Sequence, residues 1–166
     1  MRRAGAAVLA LAVVLLAGCA AVGSGGRGGG VPYALLADTP QGRPQPSVQV
    51  VTSADALAAA WRDQGLPGAP PAADYDRDVL VVVGVVATDR CPGARVTGVG
   101  TGDLGKDVTI RLRWAPADDP GRACKGAPSP HTLVLALPRD QIGHGLVSVH
   151  LARGGRRLLT AQSLLP

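Results

Sequence analysis

Three histidines, His131, His144 and His150, are the side chains best suited to acid–base chemistry near neutral pH. Nucleophilic catalysis would need one of them beside an activated serine or cysteine and an orienting acid. No serine lies in a G-x-S-x-G turn. The histidines are unevenly spaced, at a predicted strand start, in a glycine-flanked turn and on an outward strand face. We therefore expect no catalytic residues, and the alternative is a small secreted hydrolase that uses His131 or His150.

A second kind of chemistry is covalent lipid attachment at Cys19. Arg2 and Arg3 precede an uncharged apolar run over residues 6–17, and residues 16–19 read Leu-Ala-Gly-Cys. This layout is typical of a secretory signal, and the run is shorter than the roughly 20 residues of a membrane helix. The closing residues resemble the lipobox of bacterial lipoproteins, which implies a diacylglyceryl group on Cys19 and cleavage before it. The alternative is an ordinary signal peptide that releases a soluble protein.

The remaining cysteines, Cys91 and Cys124, form an even pair in a chain with an export signal, where disulfides form and persist. A disulfide between them would add roughly 3 to 4 kcal/mol of stability on the chain-entropy model. Two free thiols or a metal site are the alternatives. Neither cysteine belongs to a C-x-x-C pair and no histidine is close in sequence, so we expect no metal.

Two further motifs resemble ligand sites. Residues 100–105 match the dinucleotide pattern G-x-G-x-x-G, but an alternating strand and not a helix follows them, which favours a hairpin loop and no cofactor. Asp74, Asp76 and Asp78 resemble the start of a calcium loop, but valines stand where its glycine and glutamate are required. The aspartates are expected to cap and solvate the entry to a strand.

Composition indicates one exported domain with an aliphatic core. The 166 residues carry a formal net charge of +5, no Phe, two Trp and two Tyr. Two of the 17 basic residues, Arg2 and Arg3, belong to the predicted signal, so the excess in the mature chain is small. A basic face interleaved with stacking aromatics is not evident, so we expect no nucleic-acid partner. The local cluster Arg153, Arg156 and Arg157 fits a solvated hairpin tip, with contact to anionic headgroups as the alternative.

The chain divides into three segments. Residues 1–18 are the predicted signal, 19–30 a flexible Gly-rich tether, and 31–166 a single β-rich domain. We expect an α+β, strand-dominated fold, a curved antiparallel sheet or small β-sandwich with one helix at about residues 54–64.

Individual elements follow from local patterns. Ser53 is a good helix N-cap. The β-branched run at residues 79–86 predicts a central strand covered on both faces, and residues 107–114 alternate as a half-buried strand. The remaining predicted strands are residues 31–37, 47–52 with pairing back on the first, 94–100, 132–137, 146–152 and 156–160.

The order of these pieces over residues 33–139 resembles the protease complex subunit PrcB family. The resemblance is carried by Tyr-Ala-Leu-Leu-Ala at residues 33–37, by the segment from Gln49 to Trp61, by Asp-Tyr-Asp at 74–76 before the central strand, and by Ser-Pro-His at 129–131. Where the family tends to carry a Thr-Gly-Gly-Tyr-like turn, this chain has Cys-Pro-Gly-Ala-Arg-Val at residues 91–96.

The resemblance implies a non-catalytic accessory role near extracytoplasmic proteolysis. Together with the signal it predicts a lipoprotein held at the outer surface of a bacterial cell membrane by lipid on Cys19. The expected partner is an extracytoplasmic protease, contacted by the loops around Cys91 and residues 128–131.

Overall fold

A computed structural model of the chain describes residues 22–23, 30–87, 94–114 and 129–166. These residues form a two-sheet sandwich with one helix packed on the outside. The predicted α+β, strand-dominated fold is confirmed, and of its two expected forms the structure has the two-sheet sandwich. Among the described residues the sheets hold nine strands, and short 3₁₀ turns at Asp103–Gly105 and Arg139–Gln141 each connect two of them.

Sheet A has five strands in the order β1-β2-β7-β4-β3, all antiparallel. The strands are β1 (Val22–Gly23), β2 (Tyr33–Thr39), β3 (Ser47–Val51), β4 (Asp78–Ala87) and β7 (Ser129–Pro138). The prediction that the second strand pairs back on the first is wrong, because β3 pairs with β4 and β2 pairs with β7. Strands β4 and β7 are long and apolar, so they bury the most apolar surface at the centre of the sheet. Strand β2 therefore lies beside β7, and β3 lies beside β4.

Strand β4 is covered on both faces, as the uninterrupted valine run predicts. Val79, Val81 and Val83 face the interior of the sandwich, and Leu80 and Val82 face the helix. All five are at most 2 % exposed. This strand therefore joins the two apolar clusters of the domain.

Sheet B has four strands in the order β5-β6-β8-β9. They are β5 (Ala94–Gly102), β6 (Asp107–Trp114), β8 (Gly145–Arg153) and β9 (Arg156–Leu165). The predicted alternation of β6 is confirmed, since Val108, Ile110 and Leu112 are buried in the interior. Strands β6 and β8 run parallel to each other, and their connection passes through β7 of sheet A.

Helix α1 (Ala54–Asp63) covers the outer face of sheet A. Ser53 is its N-cap, and its hydroxyl accepts a hydrogen bond from the Ala56 amide at 3.2 Å. The buried Leu57 and Trp61 pack on β4 and β7. The indole of Trp61 donates to the Pro67 carbonyl at 3.2 Å, so this large side chain is buried with its polar atom satisfied.

The N-terminal part of the domain touches both sheets. Gly30 forms an isolated bridge with Gly100, and the Val31 amide donates to the Val99 carbonyl at 2.9 Å, both on the edge of sheet B. The chain then enters β2 of sheet A at Tyr33, two residues later than predicted. Within the predicted tether, Val22 and Gly23 pair with β2 as strand β1.

Candidate functional site

The described strand ends define one end of the sandwich, here called the loop end. Ala87 at the end of β4 pairs with Ser129 at the start of β7, and Ala94 at the start of β5 pairs with Trp114 at the end of β6. Residues 88–93 and 115–128 therefore each join sheet A to sheet B across this end. The β8–β9 turn lies there too, because Leu112 of β6 is in register with Arg153.

An acid–imidazole pair lies at the loop end. Asp38 of β2 contacts Nε2 of His131 of β7 through Oδ1. The imidazole is buried on the interior side of sheet A, whereas the Asp38 side chain is 47 % exposed. Nδ1 of His131 is buried and has no hydrogen-bond partner among the described residues. The tautomer protonated on Nε2 donates to Asp38 and leaves Nδ1 as an unused acceptor.

A cleft of about 340 Å³ opens beside this pair between β2 and β5. Its walls include Asp38, Tyr33, Arg95 and Leu133. The Tyr33 hydroxyl donates to the Val96 carbonyl at 3.3 Å and links the two sheets at the base of the cleft. The cleft thus offers one exposed guanidinium and one half-exposed carboxylate beside apolar side chains.

His150 lies in a second hydrogen-bonded row, on the outward face of sheet B. Its Nε2 donates to Asp107 Oδ1 at 3.1 Å, and its Nδ1 contacts Thr160 Oγ1 at 2.9 Å. The prediction that His150 faces outward is correct, but its ring is only 6 % exposed because flanking side chains of β6 and β9 cover it.

This row brings an acid, an imidazole and a hydroxyl together, as the hydrolase alternative requires. Stabilisation of an oxyanion would also need free backbone N–H donors beside Thr160. Strand β9 is the edge strand of sheet B and pairs with β8 on both sides of this residue, so alternate amides of β9 donate to the ladder. The row accounts for burial of the ring.

The third histidine lies at the opposite end of the sandwich. Nδ1 of His144 donates to the Pro166 carbonyl at 2.7 Å, and the residue borders a polar cleft of about 540 Å³ with Asp78 and Arg139. Burial raises the pKa of the Asp78 carboxyl, the charge of Asp74 raises it further, and Arg77 lowers it.

The aspartate-rich segment 74–78 and the glycine-rich segment 100–105 both form turns that lead into strands. The Asp74 carboxylate accepts from the Asp76 amide at 3.2 Å, and the Asp78 amide donates to the Asp74 carbonyl at 2.9 Å, so Asp74 caps the turn into β4 as expected. No group of metal-ligating residues large enough to hold an ion is found in the described ranges. Residues 100–105 form the end of β5 and the turn into β6, which confirms the hairpin interpretation.

Several predicted site residues lie outside the described residues. These are Cys19, Cys91 and Cys124, so lipid attachment and the disulfide stay predictions. Within the described part of the chain, no helix has the length and apolar character needed to cross a membrane.

Sequence reasoning missed Asp38 entirely. Its partner His131 is 93 positions away, and no local pattern marks an aspartate near a strand end as part of a pair. The outward arginines of sheet B were also missed as a group, because Arg95, Arg111 and Arg157 are far apart in sequence and share one face only in the folded sheet.

Comparison with known proteins gives no match to a family model, to a curated protein or to a solved structure.

Proposed function

We propose that this chain is a bacterial lipoprotein that acts as a non-catalytic binding or accessory module outside the cytoplasmic membrane. Lipid on Cys19 would hold it at the outer surface of the membrane, and its loop end would bind an extracytoplasmic protein. A surface protease is the proposed partner, from the resemblance over residues 33–139.

One observation carries this proposal: two of the three connections between the sheets, residues 88–93 and 115–128, start and end at the loop end. The 14-residue segment 115–128 is far longer than an ordinary connection of about four to six residues. Long connections positioned by a rigid scaffold commonly carry binding function. The scaffold is rigid here because β4 and β7, whose ends flank both connections, form the most deeply buried pair of strands in the described residues.

Site-specific photocrosslinking in a bacterial host tests the proposal. A crosslinking amino acid is placed at Arg95 or Ser129 at the loop end, and at Asp140 or Gln141 at the opposite end as matched controls. We expect adducts with an extracytoplasmic protease from the loop-end positions only, and a changed proteolysis profile when the protein is deleted. Equal adducts from both ends, or no protease adduct with an unchanged profile, would contradict the proposal.

The hydrolase alternative is favoured by the Asp107–His150–Thr160 row alone. It predicts hydrolysis of activated esters that His150→Ala and Thr160→Val both abolish while a His144→Ala control retains it. Our proposal predicts no hydrolysis above the buffer rate by any of the four proteins.

A further inference from the structure

The two sheets carry opposite charge. The four strands of sheet B contain six arginines and a single carboxylate, Asp107. The strands of sheet A contain two aspartates, Asp38 and Asp78, and no lysine or arginine. Val108 and Ile110 of β6 face the interior, so the alternate residues Arg111 and Arg113 lie on the outward face of sheet B.

Arginines of different strands come together on this outward face. Arg111 of β6 and Arg157 of β9 are both in register with Ala152 of β8, so they lie in one row with a methyl group between them. Neighbouring strands are about 4.8 Å apart, which separates the two backbones by about 10 Å. Both side chains are exposed, and no carboxylate of the described residues pairs with either.

The row extends to the edge strand β5. The Arg111 guanidinium lies against the strand at Gly100, where a Cβ would come within 3.1 Å of its Nη2. Arg95, also exposed, precedes this stretch of β5 at the loop end. The glycine therefore lets the guanidinium lie along strand β5, where it borders a depression of about 290 Å³ with Thr97 and Thr109.

Asp107, the one carboxylate in the four strands of sheet B, pairs with neither Arg111 nor Arg157. Asp107 is at the other end of β6 and accepts a hydrogen bond from His150 at 3.1 Å. At the loop end, Arg156 and Arg157 are followed by Leu158, which is 44 % exposed and borders an apolar groove of about 250 Å³ with Val86. Basic and apolar side chains thus adjoin on one hairpin, a combination suited to the headgroup–acyl boundary of a bilayer.

We propose that the outward face of sheet B, centred on Arg111 and Arg157 with the Leu158 hairpin at its edge, docks on an anionic phospholipid surface. This inference rests on the proposed membrane placement, which would hold the face close to headgroup phosphates. Guanidinium groups bind phosphate with paired N–H donors. Charges spread over several strands, with the exposed apolar Leu158 beside them, match the anionic headgroups and the acyl boundary of a bilayer.

Vesicle sedimentation of the full chain carrying Cys19→Ala tests the docking without acylation. The probes are vesicles of phosphatidylcholine alone and vesicles with about one third phosphatidylglycerol. The test variant is Arg111→Gln with Arg157→Gln. The matched control is Arg62→Gln with Arg77→Gln, which removes the same charge from two exposed arginines outside sheet B. The leader is common to all variants, so differences between them report on the domain.

Each arginine near an anionic surface contributes about fivefold to partitioning. We therefore expect the test variant to bind the anionic vesicles about thirtyfold more weakly than its parent, and the control to change binding less than threefold. The difference in binding between the parent and the test variant should also vanish at 1 M NaCl, where the Debye length is about 3 Å. If unfolding shows the test variant to be misfolded, Arg156→Gln with Arg157→Gln in the exposed turn replaces it with the same expectation.

Equal losses in test and control variants, or a test variant that binds the anionic vesicles as tightly as its parent, would overturn the inference. So would binding to polyglutamate without binding to anionic vesicles, which would assign the face to an acidic protein. These outcomes are separate from failure of the proposed function, because a chain that is never acylated in its host can still show the vesicle preference.

Discussion

Asp38 and His131 meet at the loop end across neighbouring strands, with a half-exposed carboxylate on a buried imidazole. The imidazole lies between apolar neighbours, since His131 is opposite Val85 on β4 and precedes the wholly buried residues of β7. The pair therefore lies at the loop end, where β2 ends and β7 begins, and we propose that this end binds a partner.

This relationship predicts an asymmetric response to substitution. Asp38→Ala leaves a buried N–H of His131 without an acceptor and should lower the free energy of unfolding by roughly 1–3 kcal/mol. Asp38→Asn keeps an acceptor oxygen for this N–H and should lower the free energy of unfolding by less than Asp38→Ala does. His131→Leu removes the unpartnered Nδ1 and lets Asp38 hydrate, so we expect a change below about 1 kcal/mol. Urea unfolding measures all three, and a larger loss for His131→Leu than for Asp38→Ala would contradict this account.

A second prediction concerns Gly84 of β4. Gln64, only 1 % exposed, donates to the Ser47 hydroxyl at 2.8 Å directly over this glycine. A Cβ at Gly84 would lie 2.5 Å from Ser47 Oγ and 2.9 Å from Gln64 Oε1. Gly84→Ala should therefore break this hydrogen bond and destabilise the domain by roughly 1–3 kcal/mol.

Gly98→Ala is the matched control, since its nearest contact would be an ordinary 3.8 Å to Arg111 Nη1. We expect a change within about 0.5 kcal/mol. Thermal unfolding measures the two variants side by side. Equal destabilisation would contradict the prediction, because it would show that loss of a strand glycine, and not loss of the Gln64–Ser47 hydrogen bond, lowers the stability.

The raised pKa of the Asp78 carboxyl predicts that the stability of the folded protein depends on pH. Burial and the charge of Asp74 raise its pKa in the folded protein above the ordinary 3.8. The folded state therefore holds this proton more tightly than the unfolded state, and stability present below pH 3.8 is lost as pH rises through the folded pKa. Asp78→Asn should raise the melting temperature at pH 7 and reduce this loss. An unchanged or lower melting temperature at pH 7, with the same pH profile as wild type, would contradict the prediction.

The proposed disulfide gives a prediction for residues that the structure does not describe. Reduction, or Cys91→Ser with Cys124→Ser, should lower the free energy of unfolding by roughly 3 to 4 kcal/mol. The double variant should no longer respond to reductant, and Cys19→Ala should respond as wild type does. A wild-type protein whose stability is independent of reductant would indicate two free thiols.

Features set by neighbouring residues could be predicted from the sequence. The hydroxyl of Ser53 caps α1 through the amide three residues on, and the valine run of β4 and the alternation of β6 predict their burial because the signal lies within each strand. Helix α1 ends at Asp63, within one residue of the expected boundary.

Features set by distant residues could not be predicted. The parallel pairing of β6 with β8 depends on β7 joining the other sheet, and nothing within either strand encodes that partition. Alternation places His150 outward but cannot show that Asp107 and Thr160 cover it. Likewise, the basic face of sheet B depends on register across strands, so net charge alone gives no sign of it.

The most direct test of the central claim is the intact mass of the protein expressed in a bacterial host, wild type beside Cys19→Ala. We predict that the wild-type chain begins at Cys19 and carries acyl chains, and that Cys19→Ala yields no acylated product. A wild-type chain that is cleaved without acylation and recovered as a soluble protein would contradict the anchored module.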